Sequence, residues 1–193
     1  MTPAVTLLKK NRIAFNLHSY QHDPTVNSYG LEAAEKLQVE VARVFKTLLV
    51  KVDKEELLVA VLPVAHQLSL KAIAQAAGVK KAQLADPKEA ERVTGYLVGG
   101  ISPIGQKKAL RTFIDQSATT LPSLFISGGR RGLDLELAAA DLQQITRAQF
   151  FPLIDHGARQ APSFRAGKDS ADHGARQAPS FRAGKDSADG SRP

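Results

Sequence analysis

Val44-Phe45-Lys46-Thr47-Leu48-Leu49-Val50, followed across the charged turn Asp53-Lys54-Glu55-Glu56 by the apolar run Leu57–Val64, reads as a β-hairpin. Side chains alternate faces along a strand, so Lys46 shares one face with Val44, Leu48 and Val50, while Phe45, Thr47 and Leu49 take the other. A cation therefore stands on an apolar face. A buried ammonium is costly without an anionic or strongly polar partner, and no acidic residue is adjacent to it in sequence. Either its head group snorkels to water from a strand end, or a polar ligand supplies the partner.

On the N-terminal side of this hairpin, Thr2-Pro3 pairs an N-cap residue with a first-turn proline and predicts a helix to about Lys10. Ile13–Tyr20 reads as a strand and Gly30–Leu37 as a short helix. On the C-terminal side, Ser69–Ala77 is helical up to Gly78, and Asp86-Pro87-Lys88-Glu89 combines an N-cap, a first-turn proline and a capping-box glutamate, opening a helix that ends near Gly95. Tyr96–Val98, Ser123–Ser127 and Leu133–Leu137 read as short strands, and Ala139–Thr146 as a closing helix. Strands in mixed order with intermittent helices predict one α+β (mixed α/β) domain around a largely β core.

The domain is expected to occupy residues 1–155. Beyond it, His156–Asp172 and His173–Asp189 are identical seventeen-residue copies, HGARQAPSFRAGKDSAD, in which Phe164 and Phe181 are almost the only large apolar side chains. Such segments bury too little surface to offset chain ordering, so this tail is expected to be disordered, an in-frame duplication or an added segment. A basic arm for RNA is the less favoured reading, because Asp169, Asp172, Asp186 and Asp189 dilute its charge.

At 193 residues and 43% hydrophobic content the chain suits a single core plus an extension. No apolar run approaches the roughly 20 residues that span a bilayer, and the N-terminus lacks a signal-peptide plan, so no membrane role and a cytoplasmic location are expected. Absence of cysteine removes disulfides, thiolate metal sites and any enzyme-borne thiol nucleophile. Any thiol chemistry would have to come from the substrate. Residues 1–155 carry 19 basic and 15 acidic side chains, a surplus of four within the formal +7 of the whole chain, compatible with a polyanion partner but not diagnostic of one.

Two glycine-rich basic segments invite a phosphate reading. Gly99-Gly100-Ile101-Ser102-Pro103-Ile104-Gly105-Gln106-Lys107-Lys108 fails the Walker pattern, since Gln106 intervenes after the second glycine and Lys108 replaces the magnesium-binding hydroxyl. What survives is a loop in which backbone N–H groups can approach a ligand, followed by two cations; a tight turn between strands is the structural alternative. Gly128-Gly129-Arg130-Arg131-Gly132 reads as a second flexible basic loop after the strand ending at Ser127, with arginine forks suited to phosphate or simply solvated. No Gly-x-Ser-x-Gly elbow occurs, His18, His22 and His66 lack metal-ligand spacing, and Asp23-Pro24 reads as turn chemistry. Tyr20 and Tyr29 flank that turn, each offering a ring and a hydroxyl, or simple packing.

Several segments together carry a resemblance: TPAVTLLKKN (residues 2–11), HSYQHDP (18–24), VFKTLLV (44–50), ADPKEAERVTGYLVGGISPIGQKK (85–108) and SGGRRGLDLELAAADL (127–142). They resemble the YbaK proteins, free-standing bacterial deacylases that clear cysteine mischarged onto proline tRNA, which are similar to the editing domain inserted in bacterial prolyl-tRNA synthetases. The resemblance spans roughly residues 1–152 and leaves the duplicated tail without a counterpart. It implies a compact domain with a twisted, barrel-like mixed sheet and surrounding helices.

The resemblance further implies that Lys46 is the key lysine of a pocket for the aminoacyl end of tRNA, with Tyr20, Gly100 and Ser127 as its companions in catalysis. Tyr29, Thr47, Gly99 and Ile101 are implied to bind substrate, Tyr29 standing where the family leads one to expect phenylalanine. Lys107, Lys108, Arg130 and Arg131 are the candidate tRNA contacts. No cofactor or metal is implied. The expected partners are aminoacylated tRNA and prolyl-tRNA synthetase in a ternary complex, the chain being monomeric alone. The implied reaction lets the substrate cysteine's thiol attack its own ester, releasing a cyclic thiolactone. Backbone N–H groups around Gly100 and Ile101 are the expected oxyanion donors. A deacylase for another small ester such as alanyl-tRNA, or a non-enzymatic RNA-binding module, are the rival readings.

Overall fold

The structure, a computed structural model, describes residues 1–157; the expectation about the duplicated tail falls, from residue 158 on, outside the described residues. The hairpin forms as read. Strands β2 (Phe45–Val52) and β3 (Leu57–Pro63) pair antiparallel with Lys46 opposite Leu62. Before them come helix α1 (Pro3–Lys10), strand β1 (Asn16–Ser19) and helix α2 (Tyr29–Leu37). After them come α3 (Leu70–Ala77), β4 (Ala82–Leu84), α4 (Pro87–Thr94), β5 (Arg111–Asp115), β6 (Leu124–Arg130), β7 (Leu133–Leu137), α5 (Ala139–Thr146) and β8 (Gln149–Phe151).

The helix boundaries follow local chemistry. The Thr2 hydroxyl accepts from Val5 N–H at 3.3 Å, Ser69 Oγ from Ala72 N–H at 3.1 Å, and Asp86 Oδ1 from Lys88 N–H at 2.8 Å, while Gly78 and Gly95 stop their helices in the left-handed region. Glu89 does not close the expected capping box; its carboxylate pairs with Lys51 Nζ at 3.3 Å, tying α4 to the hairpin.

Two sheets replace the single barrel-like sheet expected. One is three-stranded in the order β1-β7-β6, the other five-stranded in the order β4-β2-β3-β5-β8, and no barrel closes among the described residues. β5 joins β3 in parallel and β8 joins β5 in parallel, so β5 lies inside a mixed sheet and β8 forms its edge opposite β4. The sheets meet at an isolated parallel bridge between Val44 and Phe125, beyond which β6 bulges between Ser127 and Arg130 and β2 turns toward β4.

Alternation along β3 divides the core. Val59 and Val61 pack with Phe45, Leu49 and Ile114 against α1, α4 and α5 through Leu8, Val93 and Leu142, whereas Leu58 and Ala60 pack with Val50 and Phe113 against Ile73 of α3. Each such fully buried side chain contributes about 1.5–3 kcal/mol. A third cluster sets α2 on the smaller sheet, with Ala33 and Ala34 against Val44, Val64 and Phe125. Gly30 permits this approach, because a Cβ there would lie 2.2 Å from Val64 Cγ1.

Three strand readings change. The 13–20 strand starts only at Asn16, since Arg12 takes φ 54° after α1 and Ile13 and Phe15 are used as core packing in a loop. Tyr96–Val98 is irregular: the Tyr96 hydroxyl donates to Ile104 O at 2.7 Å, and Val98 N–H is taken by Glu91 Oε1 at 2.9 Å, which replaces ladder bonding. Gly128-Gly129-Arg130 belongs to β6, leaving only Arg131-Gly132 as the turn to β7.

Candidate active site

A cleft of ≈ 430 Å³ opens in the wedge where β2 leaves β6. Its walls come from Tyr20, Tyr29 and Gly30 before and at the start of α2, from Phe45–Leu49 of β2, from Ala85 and Pro87 at the start of α4, from Val98, Gly99 and Ile101, and from Ser127 and Asp134. The register of the hairpin explains why both faces of β2 reach it. Val64 N–H donates to Val44 O at 2.9 Å, which makes Val44, Lys46 and Leu48 the hydrogen-bonded positions of the ladder and turns the N–H and C=O of Phe45, Thr47 and Leu49 away from β3. Leu49 O is met there by Ala85 N–H at 2.9 Å, but β4 pairs only with Val50–Val52, so the β2 edge at Thr47 faces the cleft.

Lys46 is the second residue of β2, on a face whose neighbours Val44 and Val50 are buried. It is near a strand end and in a cavity at once, so the two sequence readings of its environment meet. Burial lowers its pKa, and no carboxylate pairs with it in the ion pairs of the described residues. Next to it the Thr47 hydroxyl is buried without a hydrogen-bond partner among the described residues. Across the cleft, Asp134 is 6% exposed and its carboxyl is pushed up to about 7 by burial. Burial, with Asp134 and Glu32 adding to it, also pushes the Tyr20 phenol up to about 12, which keeps it a neutral hydrogen-bond donor.

Asp134 is the group that sequence reading misses. Leu133-Asp134-Leu135-Glu136-Leu137 alternates as a half-solvated strand would, with its acids outward. Ser127 stands opposite Asp134, and Phe125 opposite Glu136, on the face that α2 covers. Glu136 is met there by Ser123 Oγ at 2.6 Å, Arg43 at 3.1 Å and His18 at 3.1 Å; hydrogen bonding from Ser123 leads in holding its pKa below the usual range.

The rim is braced. Arg131 donates from Nε and Nη2 to Val98 O at 3.1 and 2.7 Å and lies 4.7 Å over the Tyr29 ring. Gly99, at φ 88°, fits under this stack, where a Cβ would meet Arg131 Nε at 2.6 Å. Beneath, the buried Glu32 carboxylate accepts from Asp23 N–H and contacts His22 Nδ1, both at 2.7 Å, which fixes the loop ahead of α2. Asp23 is turn chemistry as read, its Oδ1 accepting from Thr25 N–H at 2.9 Å.

Of the predicted residues, Lys46, Tyr20, Tyr29, Thr47, Gly99, Ile101 and Ser127 line the cleft together. Gly100 is not among its walls: it packs on the Arg130 backbone and its N–H donates to Leu97 O at 2.9 Å, so that amide is spent within the loop. Lys107, Lys108 and Arg130 are exposed and outside the lining; the first two donate their N–H groups to Thr94 O and Val93 O at the end of α4.

A family model described as "Aminoacyl-tRNA editing domain" matches residues 23–145, which hold every wall of the cleft except Tyr20. The chain belongs to the aminoacyl-tRNA editing domain family, of YbaK type. Among curated members of the editing-domain family, it is 40% identical over 150 residues to EbsC of Enterococcus faecalis, named "Putative Cys-tRNA(Pro)/Cys-tRNA(Cys) deacylase", spanning 77% of this chain and 90% of that one. It is 28% identical over 85 residues to a proline–tRNA ligase of Brachyspira hyodysenteriae, covering 44% of this chain and 15% of the ligase. In fold, it superposes on a crystal structure described as "a putative trans-editing enzyme for prolyl tRNA synthetase" with TM-score 0.69 at 21% identity, over 80% of this chain and 99% of the other. No helix among the described residues is long and apolar enough to cross a membrane.

Proposed function

We propose that this editing-domain protein is a free-standing aminoacyl-tRNA deacylase that clears cysteine from mischarged proline tRNA. The observation that carries the reading is the cleft itself: Lys46 and Asp134, an amine and a carboxyl, line one cavity with no ion pair between them, and the Thr47 hydroxyl is buried in its wall without a partner among the described residues. Its ≈ 430 Å³ suits a small polar ligand such as an aminoacyl nucleoside. The name and 40% identity of EbsC support the choice of ester.

No nucleophile–base pair faces the cleft among the described residues. Ser127 Oγ accepts from Gly129 N–H at 3.2 Å, and His18 and His22 are engaged by Glu136 and Glu32. An aminoacyl ester is already activated, so binding, orientation and charge stabilisation suffice. The substrate's sulfur attacks its own ester carbonyl; a C–S bond forms, the bond to the ribose oxygen breaks, and the thiol proton ends on the departing hydroxyl. The products are a cyclic thiolactone and tRNA with a free 3′ end. A thiol of pKa about 8.5 is partly ionised near neutrality, and an adjacent ammonium raises that fraction. Lys46 serves either that thiolate or the phosphate or ribose of the terminal adenosine.

Thr47 N–H, at the open edge of β2, and Ile101 N–H are the donors for the developing oxyanion, in place of Gly100. Asp134 offers an acceptor for the substrate's α-ammonium. Proline tRNA and prolyl-tRNA synthetase in a ternary complex are the partners, with a chain that is monomeric alone. The test is release of labelled cysteine from cysteinyl proline tRNA, with alanyl and seryl esters alongside. Thiol-selective release supports the reading; equal turnover of the seryl ester removes substrate assistance, preference for alanyl changes the specificity, and RNA binding without turnover makes the chain a binding module.

A further inference from the structure

A second concavity, at ≈ 730 Å³ larger than the cleft, runs between α3 and the outer strand β4. Four lysines line it, Lys51, Lys71, Lys80 and Lys81, against two carboxylates, Asp53 and Glu55. Lys51 is occupied by Glu55 at 2.6 Å and Glu89 at 3.3 Å, and Asp53 accepts from the backbone N–H of Lys80 at 2.9 Å. Lys71, Lys80 and Lys81 are exposed and take part in none of the ion pairs of the described residues. A polyanion fits this surplus.

The groove and the cleft abut along one strand. Ala82 and Gln83 of β4 line the groove, and Leu84 and Ala85, next in sequence, line the cleft. Three strand residues cover about 10 Å. Stacked nucleotides rise about 3.4 Å each, so an RNA strand whose terminal ribose lies in the cleft arrives at the lysines after about three nucleotides. That is where the single-stranded end of a tRNA meets its stem. β4 is the edge of its sheet, so no neighbouring strand stands between the two cavities and solvent.

We propose that the Lys71/Lys80/Lys81 groove binds the phosphate backbone of the tRNA acceptor end while the aminoacyl ester occupies the cleft. The inference rests on the deacylase reading for the direction of the strand. It adds a binding site that neither glycine-rich basic segment contains.

The experiment compares wild type with K71A/K80A/K81A, and with K71Q/K80Q/K81Q should the alanine variant misfold by circular dichroism. Binding of uncharged proline tRNA is followed by fluorescence anisotropy from 50 to 200 mM salt, and hydrolysis of 3′-cysteinyl adenosine, which reaches only the cleft, is measured in parallel. Removing three lysine–phosphate pairings from a single strand lowers the slope of log K against log salt by about two, which shrinks the wild type's affinity advantage about 20-fold across that range. The nucleoside ester should turn over at the wild-type rate, and K9A/K10A, which removes exposed charge on α1, should leave the slope near wild type.

Equal tRNA affinity for wild type and the triple variant overturns the proposal, as does an equal effect of K9A/K10A. Unchanged tRNA binding with lost capture of prolyl-tRNA synthetase assigns the groove to a protein partner and overturns it too. If wild type hydrolyses neither the nucleoside ester nor cysteinyl tRNA, the deacylase reading fails by itself, and the anisotropy arm still decides whether the groove holds RNA.

Discussion

Val44 and Phe125 form an isolated parallel bridge, and the candidate active site exists because the pairing stops there. On one side of the bridge the two sheets touch; on the other, β6 bulges and β2 pairs with β4 only from Val50, leaving an open strand edge at Thr47, beside Lys46. An edge inside a fold is ordinarily covered, because its unpaired N–H and C=O groups are costly when buried. Here it faces a cavity of ≈ 430 Å³.

Lys46→Met should separate function from folding. Losing the cation should lower deacylation of cysteinyl proline tRNA by about 100-fold, the order seen when an electrostatic contact to a reacting group is removed. Because burial disfavours the charged head group and no carboxylate pairs with it among the described residues, thermal stability should hold or rise. Rate assays beside calorimetry check both. A large loss of stability would mark Lys46 as structural.

Thr47→Val keeps the shape and removes the buried, unpartnered hydroxyl. The variant should be more stable by about 1 kcal/mol, since an unsatisfied buried polar group costs about 1–3 kcal/mol. The deacylation rate should fall at the same time. Urea denaturation and single-turnover kinetics on one preparation give the two signs.

Asp134 makes stability depend on pH. Its folded pKa of about 7 lies above the ordinary value of 3.8, so the folded state binds the extra proton between those values and stability falls as pH rises through that window. Once the carboxyl is ionised the penalty is on the order of 4 kcal/mol. Asp134→Asn removes it, so the variant's stability relative to wild type should grow steadily from pH 4 to pH 8. Denaturation midpoints across that range measure this, and a constant gap would mean that the carboxyl is well solvated.

The Tyr29–Arg131 brace should matter through substrate binding. Arg131→Ala removes the stack and two hydrogen bonds to Val98 O, with a stability loss of about 1–2 kcal/mol and a KM effect larger than the kcat effect. Gly99→Ala should reproduce the KM effect, since the added Cβ pushes into Arg131 and Tyr29 from a backbone at φ 88°. Steady-state kinetics on both variants test the pairing.

Much of the candidate site was legible because it lies on short local patterns. An out-of-place lysine in an apolar strand, glycines before cations and tyrosines around an Asp-Pro turn are visible in the chain itself, and seven of the predicted residues meet in one cleft. Gly100 misled because a glycine-rich loop advertises free amides, whereas a turn consumed this one. Asp134 stayed hidden because period-two alternation marks a polar face without saying whether a helix covers it. β5 and β8 were missed for a related reason: their ladder partners, β3 and β5, lie far along the chain, and nothing local announces a parallel pairing.

By itself the sequence determined what nearby atoms decide: the caps of α1, α3 and α4, the β2–β3 hairpin, the face on which Lys46 stands, and the absence of any protein thiol. Only the tertiary structure decided that two sheets diverge at Val44 and Phe125, that Asp134 is buried, and that the lysines of α3 and the loop before β4 share a groove ending at the cleft. Capping and alternation act over a few residues, whereas desolvation, and with it the shifted pKa values of Lys46 and Asp134, is set by which distant segments exclude water from the same space.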